Sequence, residues 1–217
     1  MTDRFRRVET WIFDLDQTLY PPDTRLFDLI EVRMTDWVMA ALDLDRDRAD
    51  RLRADYWARY GTTLAGLMDE HGVDPAPYLT DVHDIPLDRL IPNAALAAAI
   101  GRLPGRRIVY TNGSAPYAAR VTDALGLGGL FDAIYGVEHA GFRPKPERGA
   151  FETVFAADGL DAARAAMFED DARNLAVPHA MGAITVHVAP RTDPAAGPHV
   201  DHHTADLAGF LAALPLD

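Results

Sequence analysis

Four short segments of the sequence combine acidic, hydroxyl-bearing and basic side chains at the ends of apolar runs. The first segment places Asp14 and Asp16 directly after the apolar residues 10–13. Two carboxylates this close repel each other unless a cation or a shared proton relieves the repulsion. Mg²⁺ suits the position, because it prefers oxygen ligands and is commonly held by one or two carboxylates together with substrate phosphate. The alternative interpretation is a turn in which the two aspartates cap a helix.

The second segment is a polar turn that follows another apolar run. It contains Thr111, Asn112, Gly113 and Ser114. A hydroxyl group and consecutive backbone amides at a strand-to-helix turn form a cradle for an anion. An ordinary Asn-Gly turn, with Ser114 capping the next helix, explains the same residues equally well.

The third and fourth segments add one cation and three acids. Lys145 is the only lysine among the 21 basic residues, and a proline on each side holds it in an extended loop. Its ammonium group can pair with phosphate and with carboxylates as a compact point charge. The acids of the fourth segment follow a further apolar run: Glu169, Asp170 and Asp171. They could complete a metal site with Asp14 and Asp16, or form a solvated acidic turn.

The elements that must position these groups alternate along the chain. Short β-branched or aromatic runs predict buried strands at residues 10–13, 107–111, 133–135, 166–168 and 184–188. Helical patterns lie between them at 116–125 and 147–157, and a closing helix is predicted over 205–214. This alternation predicts a Rossmann-like α/β fold with a mostly parallel sheet and helices on both faces. All four segments then follow strands, at the sheet edge where such folds bind ligands.

Residues 21–89 break the alternation, because they contain helical patterns and no strand pattern. Apolar residues at three- and four-residue spacing predict helices over 26–42, 45–60 and 63–70. The simplest architecture is an α/β core formed by residues 1–20 and 90–217, with an all-helical cap, residues 21–89, inserted after the first strand.

Composition narrows the range of partners. The 217 residues include 33 acidic and 21 basic ones, for a net charge of −12, which disfavours binding to a nucleic acid polymer. The absence of cysteine excludes disulfides and thiolate metal sites. No stretch approaches the roughly 18 apolar residues that span a bilayer, so we expect no membrane association and a cytoplasmic location. The histidines near the C-terminus are expected at the surface: His199, His202 and His203.

Taken together, the four segments resemble the motifs of the haloacid dehalogenase-like (HAD) superfamily of phosphohydrolases. The family motif DxDxT stands here as Asp14, Asp16 and Thr18. The resemblance implies that Asp14 attacks phosphorus to give an aspartyl-phosphate, while Asp16 serves first as general acid and then as general base. Dehalogenases of this superfamily lack the second aspartate, so Asp16 favours a phosphatase or phosphomutase.

The same resemblance implies roles for the remaining groups. Thr111 would hydrogen-bond the phosphoryl oxygens, and Lys145 would steady the nucleophile and the phosphate. Three main-chain amides would assist, those of Leu15, Asn112 and Gly113. Mg²⁺ would be held by Asp14, the main-chain carbonyl of Asp16, and Asp170. Many relatives have a further acid where this chain has Asn174, which leaves open whether Asp171 or Asn174 supports the metal.

Longer strings resemble the pyrimidine 5′-nucleotidase branch of the superfamily: DLDQTLYPP, YGTTLAGLM, HGVDP, VHDIP and LPGRRIVYTNGS. This resemblance implies hydrolysis of UMP or CMP, with a small phosphorylated metabolite as the partner. We expect the chain to be a monomer or a homodimer. Cap residues that could contact the base and sugar, or simply pack the cap, are Tyr60, Thr62, Thr63 and His83. The alternatives are a phosphatase or phosphomutase for a sugar phosphate or phosphoglycolate, and a non-enzymatic phospho-switch module.

Overall fold

A single parallel sheet forms the centre of the protein. The computed structural model describes residues 2–192 and 197–216. Its six strands are β1 (Thr10–Phe13), β2 (Arg106–Tyr110), β3 (Ala133–Tyr135), β4 (Ala165–Glu169), β5 (Ile184–Val188) and β6 (His202–Thr204). They lie in the order β3-β2-β1-β4-β5-β6, and every neighbouring pair is parallel. The predicted mostly parallel α/β fold is therefore confirmed.

Helices connect the strands. Within the described residues they are α1 (Phe27–Leu42), α2 (Arg46–Tyr60), α3 (Thr63–His71), α4 (Pro75–Val82), α5 (Ala94–Gly101), α6 (Ala115–Ala124), α7 (Arg148–Asp158), α8 (Ala176–Ala180) and α9 (Leu207–Ala212). Helices α1 to α4 all lie between β1 and β2, and residues 21–89 contain no strand. The division of the chain into a core and a cap stays a prediction. No helix in the described part of the chain has the length and apolar character needed to cross a membrane.

Both faces of the sheet are covered, because successive side chains of a strand point to opposite sides. Trp11 and Phe13 of β1 pack on one face, in a cluster that includes residues of α5, α6 and α9. Ile12 packs on the other face, where Phe151 and Phe155 of α7 cover it. Strands β1 and β4 are buried along their whole length, which is why their sequences read as continuous apolar runs.

Local signals set the ends of the helices between β1 and β2. The carboxylate of Asp45 accepts a hydrogen bond from the amide of Arg48 at the start of α2, and the hydroxyl of Thr62 does the same for Ala65 at the start of α3. Helix α4, absent from the sequence prediction, begins after Asp74 with a proline in its first turn. A proline is tolerated there because the first-turn amides have no partner within the helix.

Candidate active site

The carboxyl ends of β1 and β4 and the loop after β3 bring three charged groups together. Asp14 follows β1, Glu169 ends β4, and β1 and β4 are paired with Phe13 opposite Phe168. Lys145 reaches this point from the loop after β3. Its Nζ donates to Asp14 Oδ1 at 2.7 Å and to Glu169 Oε2 at 2.7 Å. The lysine is 1% exposed, so an ammonium group and two carboxylates form one buried cluster.

The side chain of Asn112 fixes the backbone of Lys145. Its Oδ1 accepts from the Lys145 amide at 2.8 Å, and its Nδ2 donates to the Lys145 carbonyl at 3.2 Å. The role predicted for Asn112 involved its main-chain amide only. The structure adds that its side chain holds the loop that presents the cation.

Burial shapes the protonation of the acids. Burial, reinforced by the charge of Glu169, raises the pKa of Asp14 to about 7. Burial and then Glu169 raise the pKa of Asp170 to about 10. For Lys145, burial disfavours the charged form, but Asp14 and Glu169 outweigh it and the pKa is raised. More negative charge meets here than one lysine neutralises, which favours a bound cation.

Three carboxylates in this cluster could hold a metal ion. Asp14, Glu169 and Asp170 each offer an oxygen atom, and these oxygens lie within 4.8 Å of one another. An all-oxygen donor set suits a hard divalent cation such as Mg²⁺. The sequence prediction contained Asp14 and Asp170, and the structure adds Glu169 to them. The carboxylate of Asp16 points elsewhere, so only its main-chain carbonyl is left for the predicted role at the metal.

The carboxylate of Asp16 is held by two tyrosines. Tyr20 Oη donates to Asp16 Oδ1 at 2.6 Å, and Tyr117 Oη donates to the same oxygen at 2.7 Å. Burial raises the pKa of Asp16 to about 6, and the hydrogen bond from Tyr20 opposes that rise. Neither tyrosine was among the residues predicted from sequence.

The turn after β2 is built around the hydroxyl of Thr111. Its Oγ1 accepts from the amide of Gly113 at 2.9 Å, which leaves the hydroxyl hydrogen available to a ligand. That hydrogen bond also occupies the Gly113 amide that was expected to bind phosphate. Ser114 stands at the N-cap of α6 but makes no side-chain capping bond, and its Oγ instead lies 3.1 Å from His83 Nδ1. The simple capping interpretation of Ser114 is therefore wrong.

A cavity of about 600 Å³ connects these groups with the helices that follow β1. Its lining includes the following predicted residues: Asp14, Asp16, Thr62, Thr63, His83, Thr111, Asn112, Gly113, Lys145 and Asp170. Two predicted residues lie outside the lining. The side chain of Leu15 is fully buried in the apolar core, so the predicted role of its main-chain amide stays a prediction; Tyr60 donates its hydroxyl hydrogen to Glu70 Oε1 on the helical surface. The site prediction for Tyr60 does not match its position, because its side chain leaves α2 on the face that packs toward α3.

Asp171 and Asn174, the two candidates for supporting the metal, both line the cavity. The carboxylate of Asp171 accepts from the Arg173 guanidinium, with Nε at 3.0 Å from both of its oxygens. Asn174 is buried and also lines the cavity. Arg173 lies with its guanidinium carbon 3.8 Å from the ring centroid of Trp57, so it joins this segment to α2.

Two histidines hydrogen-bond to the backbone of the acidic segment that follows β4. His187 Nε2 lies 2.8 Å from the carbonyl oxygen of Asp170, and His199 Nε2 lies 2.9 Å from that of Ala172. Because a carbonyl can only accept, each imidazole carries its hydrogen on Nε2. His199, His202 and His203, which were expected at the surface, are partly buried where β6 and its preceding loop pack beside β5. Their sequence spacing alone does not reveal these contacts.

Comparison with known proteins agrees with this geometry. The profile of the haloacid dehalogenase-like hydrolases matches residues 8–182. Phosphate metabolism protein 8 of Saccharomyces cerevisiae is 30% identical over an alignment of 184 residues that covers 78% of this chain and 57% of that protein. The chain thus spans a little over half the length of this curated relative.

Solved structures share the fold at low identity. A HAD phosphatase from Thermococcus onnurineus has a TM-score of 0.66 at 14% identity, covering 97% of this chain and 99% of that one. CbbY from Rhodobacter sphaeroides, solved with phosphate, has a TM-score of 0.62 at 21% identity, covering 95% and 99%. L-2-haloacid dehalogenase from Xanthobacter autotrophicus has a TM-score of 0.58 at 17% identity, covering 94% and 97%. Fold, motif order and profile match agree: the chain belongs to the haloacid dehalogenase-like hydrolase family.

Proposed function

We propose that this hydrolase is a Mg²⁺-dependent phosphomonoesterase that works through an aspartyl-phosphate on Asp14. One observation carries the proposal. Asp14, paired with the buried Lys145, and Asp16, a second carboxylic acid whose pKa is raised to about 6, line the same cavity. A dehalogenase does not need the second acid, whereas cleavage of a phosphate ester needs a proton for the leaving oxygen. The fold does not discriminate between these reactions, because the phosphatase and the dehalogenase named above both share it.

The first step transfers the phosphoryl group to the protein. The Asp14 carboxylate forms a bond to phosphorus as the bond to the leaving oxygen breaks, and Asp16 gives that oxygen its proton. In the second step the Asp16 carboxylate takes a proton from the water that attacks phosphorus, which releases phosphate and restores Asp14. Thr111 donates its hydroxyl hydrogen to a phosphoryl oxygen, and the Lys145 ammonium balances negative charge on the transferred group.

Mg²⁺ would be held by Asp14, Asp170 and the carbonyl of Asp16, with the Glu169 carboxylate beside them. When bound, it would neutralise charge on the transferred phosphoryl group. The cluster supports this assignment because its acids outnumber its one lysine. Both oxygens of Glu169 already accept hydrogen bonds, Oε2 from Lys145 and Oε1 from the amide of Asp171, so Glu169 suits a supporting place better than direct contact with the cation.

We place pyrimidine nucleoside 5′-monophosphates first among the substrates. The cavity volume of about 600 Å³ lies within the range of about 300–1,000 Å³ that is usual for small-molecule sites. Away from Asp14, polar groups for a base and sugar line it: Thr62, Thr63, Tyr78 and Arg53. The hydroxyl of Thr62 already caps α3, while the Nε of Arg53 is buried without a hydrogen-bond partner among the described residues. Arg53 was not predicted from sequence, and its Nε and the hydroxyl of Tyr78 are buried donors without a hydrogen-bond partner among the described residues in this half of the cavity.

Phosphate release from UMP, CMP, AMP, phosphoglycolate and glucose phosphates, with and without Mg²⁺, tests both levels of the proposal. UMP and CMP should be the best substrates, release should require the metal, and Asp14→Asn should abolish it. If UMP and CMP are poorer than the others, the nucleotidase assignment is wrong while the phosphatase assignment stands. A wild-type protein that becomes stably phosphorylated without turnover would instead indicate the phospho-switch.

A further inference from the structure

Two buried tyrosines converge on one oxygen of Asp16. Tyr20 comes from the turn after β1 and is 2% exposed, while Tyr117 lies in the first turn of α6 and is 1% exposed. Both hydroxyl groups donate to Oδ1, at 2.6 and 2.7 Å. Burial raises the pKa of each phenol, so both stay protonated and act as donors.

This geometry distinguishes the two oxygens of the carboxyl group. Oδ1 already accepts two hydrogen bonds, so it is directed toward the tyrosines and held there. Asp16 also lines the cavity, which leaves Oδ2 as the oxygen that can face a ligand. A carboxyl group held through one oxygen keeps one rotamer, and proton transfer depends strongly on such orientation.

The same arrangement reaches the helices between β1 and β2 through His83. Its ring stacks on the ring of Tyr117, with centroids 4.4 Å apart and planes 9° from parallel. The carbonyl of His83 accepts from Arg120 of α6 at 3.2 Å, and its Nδ1 lies 3.1 Å from Ser114 Oγ. Gly113 makes room for this pair, because a Cβ there would lie 3.2 Å from Tyr117 Cδ1.

We propose that Tyr20 and Tyr117 are positioning residues that hold Asp16 with Oδ2 toward the leaving oxygen of the substrate, and that His83 holds the ring of Tyr117 in place. This inference rests on the proposed function, since it concerns the acid step of that reaction. It adds an indirect link between α4 and the general acid: His83, at the end of α4, contacts Tyr117, and Tyr117 contacts Asp16.

The dependence of rate on the leaving group tests this proposal. Phenoxide is a poor leaving group that needs a proton, whereas 2,4-dinitrophenolate departs without one. For Tyr20→Phe/Tyr117→Phe, kcat/KM on phenyl phosphate should fall about 10- to 100-fold, a part of the usual contribution of a general acid. On 2,4-dinitrophenyl phosphate it should fall less than about 3-fold, because no acid is required. Because kcat/KM reports only steps through departure of the leaving group, the later attack of water does not blur the comparison.

Equal losses on both substrates, or no loss on either, would overturn the proposal. The single variants Tyr20→Phe and Tyr117→Phe keep one donor each and serve if the double variant does not fold. Tyr56→Phe is the matched control, because Tyr56 is also buried and hydrogen-bonded, to His71 at 2.7 Å, but lies outside the cavity lining. It should change both rates by less than about 2-fold, as expected for a site without contact to the reacting groups.

Two further variants separate the possible failures. Asp16→Asn should show the same selective loss on phenyl phosphate in a stronger form. If Asp16→Asn is selective and the tyrosine variants are not, only the positioning role fails; if Asp16→Asn is not selective, the acid assignment itself fails. His83→Ala should reproduce part of the selective loss and His83→Phe, which keeps a ring against Tyr117, should restore it. Identical behaviour of the two His83 variants would remove His83 from the proposal.

Discussion

Replacing the buried ammonium group of Lys145 is the most demanding test of the electrostatics of the site. Lys145→Met keeps the length of the side chain and removes its charge. When the carboxylates are ionised, each of the two contacts at 2.7 Å corresponds to an attraction of about 6 kcal/mol at an effective dielectric constant of about 20. Burying the ammonium group itself costs several kcal/mol, and Lys145→Met removes this cost along with the attraction. Breaking a buried pair typically costs about 3–5 kcal/mol, and we expect a loss of that size in the free energy of unfolding.

The loss should also depend on pH in a defined direction. Burial already raises the pKa of Asp14 to about 7, and removing the cation raises it further. A carboxyl group whose folded-state pKa is raised stabilises the fold at low pH, and this stabilisation is lost as pH rises. Below pH 7 Asp14 is protonated in both folded proteins. Above pH 7 the folded wild type loses this proton, whereas the folded variant retains it and is destabilised relative to its unfolded state, in which Asp14 is ionised. The gap between variant and wild type should therefore widen above pH 7 by about 1.4 kcal/mol per pH unit.

Urea unfolding in EDTA at pH 6 and pH 8.5 measures both quantities. Arg148→Met, which removes an exposed pair with Glu152, is the control and should cost less than about 1 kcal/mol at either pH. A loss below about 1 kcal/mol for Lys145→Met, or one of equal size at both pH values, would refute this account of the buried cluster.

Three other predictions follow from the described contacts. Mg²⁺ should raise Tm more at pH 8 than at pH 6, because Asp14 and Asp170 must lose protons to bind it; equal shifts in thermal melts would contradict the metal site. Burial lowers the pKa of His83 to about 4 in the folded protein, against 6.5 in the unfolded chain. The neutral buried imidazole therefore stabilises the fold fully above pH 6.5, and this stabilisation is lost as pH falls toward 4. Urea unfolding of His83→Phe should therefore lack about 3 kcal/mol of the acid destabilisation seen in wild type, and matching pH profiles would exclude this. Thr111→Val should lower kcat/KM about 100-fold in phosphate-release assays, and wild-type rates would exclude Thr111 from phosphate binding.

Much of the fold is accessible from sequence because its strands are short and fully buried. Residues 10–13, 133–135 and 184–188 are strands with the predicted ends. The first two runs stop at polar or glycine residues, and the third lies between Gly182 and Pro190, with one alanine at each end. Helix α4 escaped prediction because Pro75 and Pro77 interrupt its pattern, although both lie in the first turn, where proline is compatible with a helix.

The charged centre of the site was predictable for a related reason. Residues that directly follow parallel strands meet at one edge of the sheet, so Asp14, Thr111 and Asp170 come together without any knowledge of side-chain conformation. Glu169 lies beside them as the last residue of β4. Its hydrogen bond with Lys145 was not predictable, because it depends on the side of the sheet to which the Glu169 side chain points.

Side-chain partners over long separations were not predictable. Tyr117 lies 101 residues from Asp16 along the chain, and nothing in its own sequence surroundings identifies it as a hydrogen-bond donor to a carboxylate. Arg53 reads as one more charge on an amphipathic helix, and only the packing of α1 against α2 turns it toward the cavity. Tyr60 was proposed because its hydroxyl group lies next to the predicted loop before α3, but in the structure this hydroxyl donates to Glu70.

Chemical trapping of the phosphorylated side chain tests the central claim most directly. Wild type and Asp16→Asn would be mixed with 2,4-dinitrophenyl phosphate and Mg²⁺, quenched during turnover, treated with borohydride and mapped by peptide mass spectrometry. Borohydride reduces an acyl phosphate to an alcohol, so the account predicts reduction at Asp14, with more of it in Asp16→Asn because the attack of water is slowed. Steady phosphate release with an unreduced Asp14, or reduction at another carboxylate, would contradict the aspartyl-phosphate mechanism.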